Sequence, residues 1–441
     1  MAIVDTNGYG SLATSRNWRL FTLFALYFAQ GVPEGLLYVA VPAWLAANGV
    51  SAAAIGSYIA IILLPWSFKL FNGVLMDRFS FAAMGRRRPW IIAAQAVLVL
   101  AMLVLSINAP QVADLFLLSL CGFVINLAAA FQDVAIDGMA IDIVPVAERG
   151  KANGVMWGGK TLGIAGSTLV CGALIADHGF AAAVLAPAAA IATILMLPLV
   201  LRERPGERLL PWTAGDASDR SLEQVGRPPR LLGILADLLH AMLGRRNLLL
   251  AAGIFTSFAA YGIKTAFVPV LAVQVLGWSQ QDFTRLAAGA DLAGGIFGIL
   301  LSGWIADRIG NSRAIIMSLL LLAGLHGGMA LLQPEWQLPW LFITYFSLHA
   351  LLFVLLSVSV YASAMGHCRP QIAATQFSAY MAVLNLGTSL GSQQLGWVRA
   401  SGGDAGVLAF AAGLCLAATL FFLVSARQLL AKDTALTCSS I

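Results

Sequence analysis

The chain has 441 residues, of which 59% are hydrophobic and 11% charged. Soluble domains carry about 25% charge, so the composition argues against a water-soluble enzyme, a disordered chain or a nucleic-acid binder. A mean hydropathy of +0.84 points to a lipid bilayer instead. The formal net charge of +5 marks no nucleic-acid partner, because the basic residues are strung along an apolar chain.

A membrane-crossing helix needs about 20 apolar residues. Twelve such segments are predicted, near 18–40, 50–76, 89–108, 112–138, 152–176, 180–201, 247–274, 283–306, 313–332, 338–365, 372–398 and 404–427, with Pro, Gly or charge at the breaks between them. The first 15 residues are polar and show no basic segment followed by a short apolar core. No cleavable signal peptide is expected, and the first apolar segment should remain as an anchor. With the N-terminus cytoplasmic, the outer loops hold only Arg285 and Arg399. Lys69, Lys160 and Lys264 fall within spans, and every other Lys or Arg lies on the cytoplasmic side. That asymmetry predicts both termini inside and an even number of spans.

The longest connection, 202–246, separates six spans (1–201) from six (247–441). Its apolar stretch Leu231–Leu243 is too short to span and predicts a helix lying on the inner leaflet. Five cysteines are scattered without a CxxC pair, which fits neither a disulfide framework nor a metal site. No cofactor is expected.

The two halves echo each other. Gly73-Val-Leu-Met-Asp77-Arg78 follows the second span and leads to Gly85-Arg86-Arg87-Arg88. Gly303-Trp-Ile-Ala-Asp307-Arg308-Ile-Gly310-Asn-Ser-Arg313 follows the eighth, 230 residues later. The glycine permits close helix approach. The aspartate and the arginines after it can brace a cytoplasmic gate, so Lys69, Asp77, Arg78, Asp137, Arg149, Asp307, Arg308 and Arg313 are the candidate gating residues. Parallel six-span repeats of this kind are how transporters of the major facilitator type are built.

On these motifs the chain resembles the major facilitator superfamily over nearly its whole length. The longer first loop with its Arg run resembles the muropeptide-permease (AmpG-like) and acetyl-CoA-transporter branch. So do Gln132-Asp133-Val-Ala-Ile-Asp137 with Asp142, Pro145 and Glu148-Arg149-Gly150, and Tyr27-Phe-Ala-Gln30-Gly31-Val-Pro33. Some siderophore importers share much of the pattern. The resemblance implies an all-α membrane protein of twelve transmembrane helices in two pseudo-symmetric six-helix bundles, seated in the bacterial inner membrane and acting as a monomer.

A charge buried in a bilayer costs at least about 2.5–3.5 kcal/mol unless paired or hydrated, so each one is a candidate for function. Glu34, Asp133, Asp291 and His349 are the candidate proton-coupling groups. Lys160, Lys264, Gln30, Tyr38, Tyr261, Gln376, Tyr380 and Asn385 are the candidate substrate ligands. Adding the repeat length to Glu34 reaches Lys264, which predicts a Glu34–Lys264 approach. Similar depth predicts a Lys160–Asp291 bridge. Asp133 and Asp137, four residues apart, share one helix face and are expected to be braced by Lys69 and Arg149. Packing of a helix neighbour is expected for Gly158, Gly159, Gly163 and Gly166.

No GxxxxGK[ST] loop is present, so energy is expected from a gradient rather than from ATP. The expected function is secondary transport, driven by H⁺, of a polar or anionic solute such as an anhydromuropeptide. A siderophore importer and a drug/proton exporter are the alternatives on the same fold. A membrane-embedded enzyme is the alternative of another class, but no Ser-His-Asp grouping supports it. The expected partners are a small-molecule substrate, H⁺ and lipid, with no nucleic acid.

Overall fold

The computed structural model describes residues 11–79, 81–224, 231–369 and 372–438. Where lipid replaces water, a chain must satisfy its backbone groups internally, and the apolar segments do so as helices. In order these are α1 (Arg16–Ala47), α2 (Ala52–Phe68), α3 (Lys69–Arg78), α4 (Arg88–Asn108), α5 (Leu115–Ile143), α6 (Arg149–His178) and α7 (Phe180–Val200). After the connection come α8 (Asp219–Gln224), α9 (Leu231–Met242), α10 (Arg245–Val275), α11 (Gln280–Ile309), α12 (Asn311–Leu331), α13 (Pro339–Gly366), α14 (Ala373–Gln393) and α15 (Leu395–Cys438). Among the described residues, ten helices are long and apolar enough to cross a membrane, and Ala52–Phe68 is a shorter apolar one.

The departures from a smooth twelve-segment reading have local causes. The expected segment 50–76 is interrupted at Leu64–Phe68, a 3-10 turn holding Pro65, because proline removes an N–H donor and tightens the chain. Within α1, Pro33 is followed by a π-turn at Leu36–Ala40, and within α10, Pro269 is followed by one at Leu271–Val275. The expected end near 398 comes at Gln393, and α15 then runs through Gly403, whose φ of 66° bends it. The stretch predicted to lie on the inner leaflet is helical from Leu231 to Met242.

Cα packing divides the chain into two compact units. The first comprises Met1–Trp44, Phe68–Pro229 and Gln280–Ala288. The second comprises Leu45–Ser67, Arg230–Ser279 and Gly289–Ile441. In the first, α1 lies along α6, and α4 packs on α5 and α7. In the second, α10 lies along α14 and α15, and α12 packs on α13 and α15. Each unit has its own apolar core, one built around Leu23, Leu26, Ile136 and Met139, the other around Leu250, Ile254, Leu319 and Phe422.

Backbone contact between glycines and carbonyls sets both long pairings. In the first unit a Cβ at Gly31 or Gly35 would overlap the Lys160 or Ile164 carbonyl, and one at Gly163 would overlap that of Phe28. In the second, a Cβ at Gly262 would overlap the Thr388 carbonyl, and at Gly387 or Gly391 those of Phe255 and Ala259. In lipid, helices associate by such close packing rather than by a hydrophobic driving force. Gly158 and Gly166, expected to serve the same purpose, face open space. Only the glycines one turn apart on the contact face, Gly159 and Gly163, touch α1. Replacing Gly163 or Gly391 by leucine is expected to destabilise the fold by more than the roughly 1–3 kcal/mol of ordinary overpacking, because the obstruction is backbone. Size-exclusion profiles in detergent should show loss of the folded peak for both, and Gly158→Leu should retain it.

The connection after α7 is folded, not a free tether. Glu203 and Glu207 are fully buried. Glu203 Oε2 accepts the backbone N–H groups of Arg87 (3.2 Å) and Arg88 (3.4 Å), and its Oε1 pairs with Arg204 at 3.1 Å. Glu207 accepts from Ser218 and Ser221 hydroxyls at 2.8 and 2.7 Å and from the Arg204 N–H at 2.9 Å. The Arg88 guanidinium, also fully buried, donates to the carbonyls of Pro198, Met84, Arg208 and Leu209. Gly85, at φ 94°, leaves room for the Glu203 carboxylate. Thus the Arg run of the first loop is an anchor for the connection.

Burial, and then the neighbouring Glu207 carboxylate, push the Glu203 carboxyl up to about 6. The folded state therefore prefers the protonated form. This stabilisation is complete below the ordinary glutamate value near 4.3 and is lost as pH rises through about 6. Its full extent is about 2 kcal/mol. Glu203→Gln, which mimics the protonated form, is expected to flatten that dependence. Between roughly pH 8 and pH 5 the wild-type melting temperature should gain on the variant's, whereas parallel profiles would remove Glu203 as the source.

Candidate functional site

Along α1, Tyr27, Gln30, Gly31, Glu34 and Tyr38 recur at three- and four-residue spacing, which places them on one helix face. The close approach of α6 through Gly31 and Gly35 determines what that face meets. Lys160 Nζ lies 2.9 Å from Glu34 Oε1 and 5.6 Å from the Trp157 ring centroid. One turn away, Gln30 Nε2 donates to Asp133 Oδ1 at 2.5 Å, and the other Asp133 oxygen pairs with Lys69. The Tyr27 hydroxyl donates to Asp137, and the Tyr38 hydroxyl donates to the Asn126 side-chain carbonyl. The result is a polar ladder on α1, α5 and α6, set among apolar residues.

Within each unit the interior charges find a partner of their own. The sequence repeat matches Glu34 with Lys264, and depth matches Lys160 with Asp291. In the structure Glu34 bonds Lys160 inside the first unit. Inside the second, Lys264 lies within electrostatic reach of Asp291 and 4.6 Å from the Phe346 ring centroid. The register shows why Lys264 is not the counterpart of Glu34. Gly31 against the Lys160 carbonyl and Gly262 against the Thr388 carbonyl are the equivalent contacts. They put Thr265, not Lys264, in the place of Glu34. One residue is about 100° around a helix. The same match makes Thr388 the counterpart of Lys160, so the ion pair of the first unit has no charged equivalent in the second.

In the second unit His349 is buried at the centre of an aromatic group. Its ring stacks on Tyr261 and Phe353 at 6.3 and 5.9 Å and lies 5.3 Å from His326, whose Nδ1 is 3.0 Å from the Tyr345 hydroxyl. Tyr261 and Phe353 stack face to face at 3.8 Å. The other candidate ligands there have structural partners. Gln376 is buried, accepts the Arg369 N–H at 2.9 Å and donates to the His367 carbonyl, holding the turn before α14. Tyr380 is fully buried in the apolar core. Asn385 donates to the Trp66 and Met381 carbonyls.

Among the gating candidates, Lys69 braces Asp133 as expected, but Arg149 is exposed and takes no part. Arg16 and Arg19 instead hold Glu148, at 3.3 and 2.7 Å, and Arg86 holds Asp142 at 3.4 Å. Arg78 and Arg308 lie over the rings of Phe79 and Trp304, and Asp307 and Arg313 are exposed. The Asp77 side chain lies outside the described residues. Tyr27, Asn126, Trp157 and His326 are members of these clusters that were not among the candidate site residues; Tyr27 stood only in the resemblance motif, and His326 reads in sequence as a packing residue. The α1 spacing was a signal for Tyr27, while the others have none short of the fold. Among the described residues no three His, Cys, Asp or Glu side chains gather as a metal ion would require.

The profile of the Major Facilitator Superfamily matches residues 23–392. The chain is 30% identical over 142 residues to the anhydromuropeptide permease of Escherichia coli K12, a stretch covering 32% of this chain and 28% of that protein. It is 30% identical over 133 residues to the putative transporter AmpG 4 of Rickettsia felis, covering 29% and 31%. The matched stretch thus spans less than a third of these relatives' own length. Among solved structures, the nucleoside transporter NupG is similar at a TM-score of 0.71 and 14% identity, covering 92% of this chain and 98% of that one. A POT family transporter in complex with a thioalcohol-conjugated peptide is similar at 0.70 and 13%, covering 93% and 96%. At such identities these two structures testify to fold alone. The profile, the membrane-length helices and the shared fold together make the chain a multi-pass membrane transporter, not an enzyme, and a member of the Major Facilitator Superfamily.

Proposed function

We propose that the protein is a proton-coupled importer of anhydromuropeptides, working by alternating access in the bacterial inner membrane. In this reading residues 1–201 and 247–441 form two six-helix bundles, 202–246 joins them, and both termini are cytoplasmic. The chain acts as a monomer and takes substrate near the bilayer midplane. The observation that carries the reading is the Glu34–Lys160 pair beside the Lys69–Asp133 pair. Charges inside a bilayer are retained at a cost of at least about 2.5–3.5 kcal/mol each when unpaired, and these pairs join α1 to α6 and α3 to α5. Lys160 and Lys264, each against an aromatic ring, suit a substrate with carboxylates and sugar rings. The likeness to the Escherichia coli permease supports that choice of substrate. Membrane carboxylates supply the proton route, at about 2.3 kcal/mol per charge per 100 mV.

In proteoliposomes an inward proton gradient is expected to drive accumulation of a radiolabelled anhydromuropeptide. Lys160→Met should lower the initial rate about 100-fold, the effect of leaving Glu34 unpaired in the membrane. Adding Glu34→Gln should cost less than a second independent loss, since contacting residues are non-additive. Uptake of a siderophore in place of the muropeptide, or extrusion of a lipophilic cation, overturns the substrate assignment. Chemical conversion of the solute overturns the carrier itself.

A further inference from the structure

We propose that Asp137 is the carboxylate at which this transporter binds its proton, with the Tyr27 hydroxyl as its partner in both protonation states. The inference rests on the proton-coupled reading and names the site within it.

Asp133 and Asp137 sit one turn apart on the same face of α5 and have different surroundings. Asp133 is 5% exposed, ion-paired with Lys69 and hydrogen-bonded by Gln30 at 2.5 Å. Its negative charge is fully matched, so it has little use for a proton. Asp137 is half-buried, and its direct partner among the described residues is the Tyr27 hydroxyl, with no ion pair. A hydroxyl suits a titrating carboxyl. It donates its hydrogen to the carboxylate, and it can rotate to accept the O–H of the carboxylic acid. An ammonium could do only the first.

The charged and titratable groups around Asp137 come from every element packed there. Asp133 is on its own helix, Lys69 on α3, Tyr27 on α1 and Lys160 on α6. The Arg87 side chain runs past Gly138, and the Arg86–Asp142 pair lies about one turn further along α5. Lys160 pairs with Glu34 and Lys69 with Asp133, whereas Asp137 meets the Tyr27 hydroxyl. One proton on an Asp137 oxygen neutralises that carboxylate without breaking either ion pair. Releasing it restores the charge and strengthens the pull on Lys69. The bound proton is thereby coupled to the Lys69 contact that ties α3 to α5.

Difference infrared spectroscopy of the purified full-length protein, titrated in acid, tests the assignment without any substrate. A carbonyl band of a protonated carboxyl group is expected to grow as pH falls, to vanish in Asp137→Asn and to persist in Asp133→Asn. Tyr27→Phe should displace its midpoint, because it removes the hydroxyl that touches the titrating carboxyl group. This variant keeps the test open should Asp137→Asn fail to fold. A band that survives Asp137→Asn, or a midpoint unmoved in Tyr27→Phe, overturns the proposal. In proteoliposomes with labelled anhydromuropeptide, Asp137→Asn should lose gradient-driven accumulation by about tenfold or more while keeping exchange, the pattern of a lost coupling site. Wild-type uptake indifferent to the gradient would sink the proton-coupled reading, and the transport role of Asp137 with it. A gradient-driven wild type whose band survives Asp137→Asn sinks the assignment alone.

Discussion

Close passage of the first long helix of each unit against a glycine-bearing partner is the constraint from which the rest of the structure follows. Gly31 and Gly35 rest on the α6 backbone, and Gly262 rests on that of α14. Side chains cannot separate helices that meet backbone to backbone, so everything flanking the glycines is brought to a set distance. In the first unit this carries Lys160 onto Glu34 and leaves the same α1 face looking across at Asp133 and Asp137 on α5. Small residues at a membrane helix interface usually serve association alone. Here they also position charge.

The two units share the packing device and differ in what they place around it. In the first unit a ladder of acids, amides and lysines runs along α1, α5 and α6. In the second, Lys264 and Asp291 stand near a ring cluster of Tyr261, Phe353, His349 and His326. Thr388, the counterpart of Lys160, contributes only a hydroxyl bonded to the Leu384 carbonyl. Charge therefore belongs mainly to one repeat and aromatic surface to the other.

In sequence the connection 202–246 reads as a linker carrying a helix on the inner leaflet. Its first part is instead among the best-bonded polar regions of the first unit, with Glu203, Glu207 and Arg88 buried and mutually satisfied directly or through backbone. Buried polar networks are costly unless complete. The run Gly85-Arg86-Arg87-Arg88 is explained by that requirement. Gly85 admits a carboxylate, Arg88 collects four carbonyls, Arg86 holds Asp142, and Arg87 offers its backbone N–H.

Composition, hydropathy and the placement of Lys and Arg were enough to read a helical multi-pass membrane protein, because lipid leaves a chain no other way to satisfy its backbone. The paired glycine-aspartate motifs were enough to read a repeat, because one polar turn recurs at one spacing. Glu34, Asp133, Lys160 and Lys264 were legible as interior charges for the same reason: a lone charge in an apolar run is visible without a fold. Which residue of the second unit answers to Glu34 was not legible. A shift of one residue turns a helical side chain by about 100°, so an approximate repeat length of 230 could not say that Thr265 rather than Lys264 stands in for Glu34. Nor could composition separate Gly163, pressed on a carbonyl, from Gly166, facing open space. Those distinctions belong to the tertiary structure, because they depend on the rotation of one helix about its axis against another, set only when the backbones touch.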